Sequence, residues 1–334
     1  MKIILTGSSG RIGRAIFGSL ACEHEVIGVD TRVFSTTRVV ADCADEAVMR
    51  PLLEGADALI HTAGPHAPHV GETADEEFSR VNVGATGDLY KWARAAGAGS
   101  FLYTSTTALY GHAIEKGACT WVNEDTVPSP KSIYHRTKLA GEEQLEDLAD
   151  EALPVRVLRM SRCFPESAAL MAGYRLHRGI DARDVGEGHA LALKHNGPAF
   201  ARFILSGATP FTRQDCEGLA KDAPAIIRER APKFAEVFAK RGWQLPRTID
   251  RVYDPGAAAT QLEANTLGVA HRCRGGRHDR RGVGRNGRLG RFVGTGVAAT
   301  RRECQHCCAR DGKCDAPEVR GELAGGLDHE TALL

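Results

Sequence analysis

The chain has no run of about 18 consecutive apolar residues, so no transmembrane helix is expected. It has almost no net charge, +1 over 334 residues, which removes any global attraction to nucleic acid or to an acidic partner. The opening MKIILTG is too short an apolar run for a signal peptide and leads directly into a glycine-rich turn. Cys22, Cys43, Cys119, Cys163 and Cys216 show no paired spacing, so this part of the chain is expected to hold no metal and no disulfide framework. Scattered thiols suit a reducing, cytoplasmic setting. What remains is an ordinary globular composition, 43% hydrophobic, long enough to bury one large core or two modest ones.

Short apolar runs alternate with helical patterns through residue 200. KIILTG reads as a strand, RIGRAIFGSLAC as a helix and HEVIGVD as a second strand. DALIHTAG, SFLYTSTT and VRVLRMS are further strands, separated by amphipathic segments. This alternation predicts an α/β fold, a doubly wound parallel sheet of Rossmann type, with ligands at the carboxyl ends of its strands. ARFILSG reads as the last sheet strand. The expected division is a dinucleotide-binding domain over 1–200 with a short substrate segment near 163–176, a small substrate lobe over 201–263, and a tail over 264–334.

The first strand-to-helix turn is TGSSGRIG, residues 6–13, with Gly7, Gly10 and Gly13 spaced G-x-x-G-x-x-G. A pyrophosphate needs a tight turn, close backbone approach and exposed amides at a helix N-terminus. Ser9, Arg11 and Ile12 complete this cofactor-binding turn. The second strand ends in Asp30, 23 residues past Gly7. A carboxylate there accepts hydrogen bonds from the adenosine ribose and repels a 2′-phosphate, which favours NAD over NADP. Arg32 stands nearby as a counterweight.

YHRTK places Tyr134 and Lys138 one helical turn apart, hence on one helix face, with Ser132 as the candidate cap. On this pair alone the plainer reading is a solvated Tyr and Lys on an amphipathic helix. The chemical reading is a base for alcohol oxidation. A phenol has a pKa of about 10 and is a poor base near neutrality. A cation within about 4–6 Å lowers such a pKa by roughly 1–3 units.

The ordered series TGSSGRIG, Asp42 in ADCAD, HTAG, VNVGAT, YTSTTALYG and YHRTK resembles the extended short-chain dehydrogenase/reductase family, which includes NAD-dependent sugar epimerases and dehydratases. The resemblance covers roughly residues 1–260. It implies that Asp42 and Cys43 flank the adenine, that Thr62, Ala63 and Gly64 line the diphosphate–ribose channel, and that Asn82 sits on the helix behind the active site. An exposed or capping amide is the other reading of Asn82. It further implies Tyr134 as general base and acid, Thr106 as the hydroxyl that holds the substrate oxygen, with Ser105 as its alternate, and Lys138 as electrostatic partner and holder of the nicotinamide ribose. Tyr110 is read as a core aromatic. After VRVLRMS, relatives that use nucleotide sugars carry an Asn; Arg162 stands there instead, as a candidate substrate contact or a surface arginine. Asp181, Arg183 and His189 are read as structural, and Asp184 as the cap of the following helix.

From Ala264 onward there are 12 Arg against one Lys, 13 Gly and five of the ten Cys. No sustained period of 2 or 3.6 is present, so the tail is read as disordered, with a late change of reading frame as its origin. An RNA-binding Arg/Gly arm, with Phe292 as its only aromatic, and a zinc site at Cys304, Cys307, Cys308, Cys314 and His306 are the alternatives.

The expected function is an NAD-dependent, epimerase/dehydratase-like oxidoreductase acting on a secondary alcohol of a sugar or nucleotide-sugar-like substrate. One alternative is an NAD-dependent dehydrogenase or reductase of a small hydroxy or keto compound. A second, from another class, is a non-catalytic NAD-binding or RNA-associated protein. The expected partners are a sugar-like small molecule and a second copy of the chain, with no membrane and no nucleic acid.

Overall fold

The computed structural model describes residues 1–262. The readings attached to 264–334 lie outside the described residues. In chain order the strands are β1 (Lys2–Thr6), β2 (Glu25–Asp30), β3 (Val39–Val40), β4 (Ala58–His61), β5 (Ser100–Thr106), β6 (Thr120–Val122), β7 (Val155–Met160), β8 (Phe200–Leu205) and β9 (Arg251–Tyr253). The α-helices are α1 (Arg11–Leu20), α2 (Glu46–Leu53), α3 (Asp75–Ser79), α4 (Thr86–Ala95), α5 (Ile133–Leu148), α6 (Ala168–Arg175), α7 (Ala182–Ala192), α8 (Cys216–Arg230) and α9 (Pro232–Lys240).

Seven strands form one sheet in the order β3-β2-β1-β4-β5-β7-β8, and every pairing is parallel. This is the Rossmann-type doubly wound fold read from the sequence. A parallel sheet is covered on both faces, which is why its strands read as continuous apolar runs rather than alternating ones. Successive side chains point to opposite faces. Ile4, Leu59, Phe101 and Val157 therefore pack with Met49 and Leu53 of α2, Leu89 and Trp92 of α4, and Leu145 of α5. Ile3, Leu5, Ile60 and Leu102 pack with Ile16 and Leu20 of α1 and Val185 of α7 on the other face. Among the described helices none is long and apolar enough to cross a membrane.

The expected division at residue 200 falls at the first residue of β8, which pairs with β7 in the main sheet. A separate parallel pair crosses the expected division, joining β6 from before it to β9 from after it. A third apolar cluster joins Cys119, Leu176, Phe211, Leu219, Ala223, Ile227, Ile249 and Val252. Helix α8 is kinked at Asp222, two residues before Pro224, which cannot continue the backbone ladder. Helix α7 is capped by Asp181, which accepts from the Arg183 amide at 3.0 Å. The expected cap, Asp184, instead lies inside the first turn. Asp181 is the residue with extended backbone at the helix entry, and that geometry decides which acid can reach the amide.

Three buried histidines tie layers together. His61 bridges Thr6 of β1 (2.7 Å) and Thr86 of α4 (3.0 Å). His189 of α7, structural as expected, meets Thr104 of β5 at 2.8 Å and the Val185 carbonyl at 2.7 Å. His177 meets the Arg251 carbonyl of β9 at 2.9 Å. Burial lowers their pKa values to about 3 for His61 and about 4 for His177 and His189, from an ordinary 6.5. They are therefore neutral when folded, while the unfolded chain takes up protons below pH 6.5. Stability is full above that value and is lost as pH falls toward 4, with a slope of at most about 1.4 kcal/mol per pH unit for each histidine. Urea unfolding at pH 7 and pH 5 should show a lower midpoint at pH 5; equal midpoints would contradict neutral burial.

Candidate active site

The residues expected to hold cofactor and substrate gather at the carboxyl ends of the parallel strands, where such sheets bind ligands. After β1, Gly7 takes a φ of +74°, and a Cβ there would lie 2.6 Å from the Ala63 nitrogen. At Gly13 a Cβ would lie 2.0 Å from the Gly7 carbonyl oxygen, so the turn closes only with glycine. No side chain caps α1 at Gly10. The first-turn amides of Arg11, Ile12 and Gly13 are thus presented at a helix N-terminus, where an anion is favoured.

Asp30 ends β2 with its carboxylate fixed by the amides of Ser9 and Arg32, both at 3.0 Å. Asp42 accepts from the Ala44 amide at 2.9 Å and pairs with Arg80 at 2.8 Å. Burial first, then the Asp42 charge, push the neighbouring Cys43 thiol up to about 12, so it is an inert part of the wall. After β4, the Thr62 amide donates to the Thr6 carbonyl at 3.3 Å and the Ala63 amide to the Thr6 hydroxyl at 3.4 Å. Gly64 has a φ of +148°, and a Cβ there would sit 2.1 Å from Asn82 Oδ1. These features bring closely packed backbone together at the carboxyl ends of β1, β2 and β4.

Asn82 is buried, which removes the exposed reading. It lies on a π-helical segment, Arg80–Ala85, between α3 and α4. Such segments interrupt the regular ladder and recur at functional sites. The Thr86 hydroxyl donates to the Asn82 carbonyl at 2.9 Å and the Tyr103 hydroxyl at 3.3 Å. The Asn82 amide group donates to the Pro65 carbonyl and the Thr137 hydroxyl, each at 3.1 Å, and its Oδ1 has no partner. Since the Thr86 proton is committed to Asn82, His61 Nε2–H donates to Thr86 and Nδ1 accepts from Thr6. A hydrogen-bonded chain thus runs from β1 to the π-helical turn.

Ser132 caps α5 as expected, accepting from the His135 amide at 3.4 Å. Tyr134 is half-buried, and its hydroxyl lies near enough to the Thr106 side chain, at the end of β5, for Thr106 to counter part of its burial. Thr106 also accepts from the Ala108 amide at 3.1 Å. Ser105, the alternate, is turned away and donates to Glu142. Lys138 is buried with Nζ 4.0 Å from the Tyr103 ring centroid, a cation held over a π face.

The expected electrostatics need correction. Burial raises the Tyr134 phenol to about 12, and the Thr106 hydrogen bond offsets this only in part. Lys138 is not the group that governs it. Desolvation lowers Lys138 itself to about 7, against the attraction of Glu142. The sequence argument counted the charge and left out the cost of burying both groups.

Arg162 follows β7 in a cleft with Arg11, Phe164, Tyr174 and Arg175. Its guanidinium is bound to Glu166 at 2.6 Å and lies over the Phe164 and Tyr174 rings. Tyr110, read as a core aromatic, is buried. Sequence reasoning assigned no role to His61, Tyr103, Glu142 or Arg159. Two signals were available: Glu142 continues the Tyr134, Lys138 stripe by one more turn, and Arg159 is one of two arginines, with Arg156, inside the strand VRVLRM.

The sequence pattern of the NAD dependent epimerase/dehydratase family matches residues 3–175, just over half of the chain. A dTDP-4-dehydrorhamnose reductase from Mycolicibacterium smegmatis is 29% identical over 184 residues, covering 55% of this chain and 53% of that protein. Methionine adenosyltransferase 2 subunit beta from Rattus norvegicus is 27% identical over 168 residues, covering 49% and 48%. The chain spans about half the length of these curated relatives. The fold matches UDP-glucuronic acid 4-epimerase from Bacillus cereus, solved in complex with NAD, with a TM-score of 0.56 and 20% identity over 79% of this chain and 90% of that one. The chain belongs to the NAD dependent epimerase/dehydratase family.

Lys138 supplies a pH signature. Its folded pKa of about 7 lies below the ordinary 10.5, so between those values the unfolded chain holds a proton that the folded chain does not. The burial penalty is full below pH 7 and fades as pH rises toward 10.5. Lys138→Met should therefore stabilise the cofactor-free chain at pH 6 by about 2 kcal/mol or more, and by progressively less at pH 9. Denaturant titrations at the two pH values check this; a destabilised variant at pH 6 would refute it.

Proposed function

We propose that this family member is an NAD-dependent oxidoreductase acting on a secondary alcohol of a sugar or nucleotide-sugar-like substrate. The approach of the Tyr134 side chain to Thr106 at the end of β5 carries this reading, with Lys138 one turn further along the same helix. Binding alone needs no such pair of hydroxyls. The sugar-like class is supported by relatives named as a dTDP-4-dehydrorhamnose reductase and a UDP-glucuronic acid 4-epimerase.

Gly7, Ser9, Gly10, Arg11, Ile12 and Gly13 would cradle the pyrophosphate of NAD, Asp30 the adenosine ribose, and Asp42 and Cys43 the adenine. Thr62, Ala63, Gly64 and Asn82 would line the rest of the channel, with Lys138 at the nicotinamide ribose. When bound, NAD supplies the hydride acceptor. Thr106 donates a hydrogen bond to the substrate oxygen and orients it toward Tyr134. Tyr134 takes the hydroxyl proton in the oxidative direction and returns it in the reductive one. With a pKa raised to about 12, Tyr134 rests as a neutral phenol, ready to donate. In the oxidative direction it would need a nearby cation, a part Lys138 could play only while it holds its proton, below its pKa of about 7. Arg162 would reach an anionic substrate group once freed from Glu166. The substrate lobe expected over 201–263 would in this reading be the part around Phe211, α8, α9 and β9, since β8 belongs to the main sheet, and a homodimer would pair through α4 and α5.

A second reading is a non-catalytic NAD-binding subunit, favoured by similarity to a protein named as a subunit of methionine adenosyltransferase. Tyr134→Phe separates the two. An enzyme should lose about 10²–10⁴-fold in turnover while keeping its NAD affinity. Full activity in that variant would overturn the mechanism. Cofactor released on denaturing the fresh protein should approach one NAD per chain, since an epimerase or dehydratase returns the hydride it borrows. An empty protein that accumulates NADH with a hydroxy compound would instead mark a simple dehydrogenase.

A further inference from the structure

We propose that the buried Glu142–Arg159 ion pair is a positioning device, fixing both flanks of Thr106 to the helix that carries Tyr134 and Lys138. This rests on the reading of Thr106 and Tyr134 as the proton-handling pair. Tyr134, Lys138 and Glu142 occupy successive i+4 positions on one face of α5. Glu142 is 0% and Arg159 2% exposed. Arg159 of β7 donates to Glu142 from Nε at 3.0 Å and from Nη2 at 2.6 Å. Ser105, one residue before Thr106, donates its hydroxyl to the same carboxylate. Tyr110, four residues after Thr106, accepts from Arg159 Nη1 at 2.7 Å and donates onward to the Asn123 carbonyl at 3.3 Å. One pair thus joins β5, β7, α5 and the turn that follows β5.

Stability alone does not call for such a pair. Well-packed apolar residues of similar volume often serve a core as well, because taking two charges out of water cancels most of their attraction. What charged, bidentate hydrogen bonds add is direction. Four elements are held to hydrogen-bond tolerance around Thr106, and a reacting group misplaced by about 1 Å costs on the order of 10²-fold in rate. Glu142 and Arg159 touch neither substrate nor cofactor in this scheme; they act through Thr106 and Tyr134.

The test replaces the whole pair in the full chain, Glu142→Leu with Arg159→Met, so that no buried charge is stranded. The measurements are thermal midpoint, NAD affinity, kcat and KM, and a crystal structure of the variant beside the parent. We expect a folded variant with NAD affinity within about twofold of the parent, KM little changed and kcat reduced about 10- to 100-fold. The Tyr134 hydroxyl should stand about 1 Å or more further from Thr106 in its crystal structure than in the parent's. A folded variant that keeps kcat within about twofold, or keeps the parent's Tyr134–Thr106 separation, overturns the proposal. If the double variant does not fold, Tyr110→Phe removes one oxygen from the network; it should lower kcat about 3- to 10-fold at constant KM, and an unchanged kcat overturns the proposal. If the parent turns over no alcohol, the functional reading has failed, and the crystallographic comparison alone then decides the positioning role.

Discussion

Helix α5 lies against the end of β5 at a separation that only glycine permits at position 141. A Cβ there would stand 2.6 Å from the Tyr103 hydroxyl and 2.7 Å from the Asn82 carbonyl oxygen. Gly87 plays a similar part where α4 meets α5, since a Cβ would press 2.4 Å from Gln144 Nε2. This close approach lets the side chains of one α5 face reach the sheet: Tyr134 meets Thr106, Lys138 meets the Tyr103 ring, and Glu142 meets Arg159. The π-helical turn at Asn82 accommodates the same approach from the other side. Its freed carbonyl is satisfied by Thr86 and Tyr103 instead of by the regular ladder.

The same closeness sets the electrostatics. A phenol and an amine pressed into one apolar corner are both driven toward their neutral forms, so the site rests with its proton on the phenol and its amine near neutrality. Such an arrangement costs folding free energy. The glycine turn follows the same logic. Its amides face outward from an uncapped helix start and leave hydrogen-bonding capacity for a guest.

Much of this was legible in the sequence, for identifiable reasons. Strands covered on both faces must be apolar throughout, so KIILT and ALIH announce themselves. A turn closed by a 2.0 Å clash at Gly13 admits no other residue, so its spacing is visible too. The Tyr134–Lys138 register follows from helical geometry alone. What escaped was whatever depends on the surroundings of a group rather than on its position. Desolvation reversed the expected direction at Tyr134. The contest between Asp181 and Asp184 was settled by backbone conformation at the helix entry, which two acids three residues apart do not reveal. Glu142 and Arg159 stood out as charges in unusual places, yet their partnership is a tertiary fact that no spacing of 17 residues encodes.

The apolar cluster that joins α8, β9 and the start of β6 is distinct from the two clusters that cover the main sheet. Thr106, Tyr134 and Lys138 all stand on β5 and α5, which belong to the main body. The two parts are nonetheless fastened together: Tyr110, Val122, Ile204 and Tyr253 share a fourth apolar cluster, and Tyr253 donates to the Thr107 carbonyl just after β5. A substitution at that seam is felt on both sides of it.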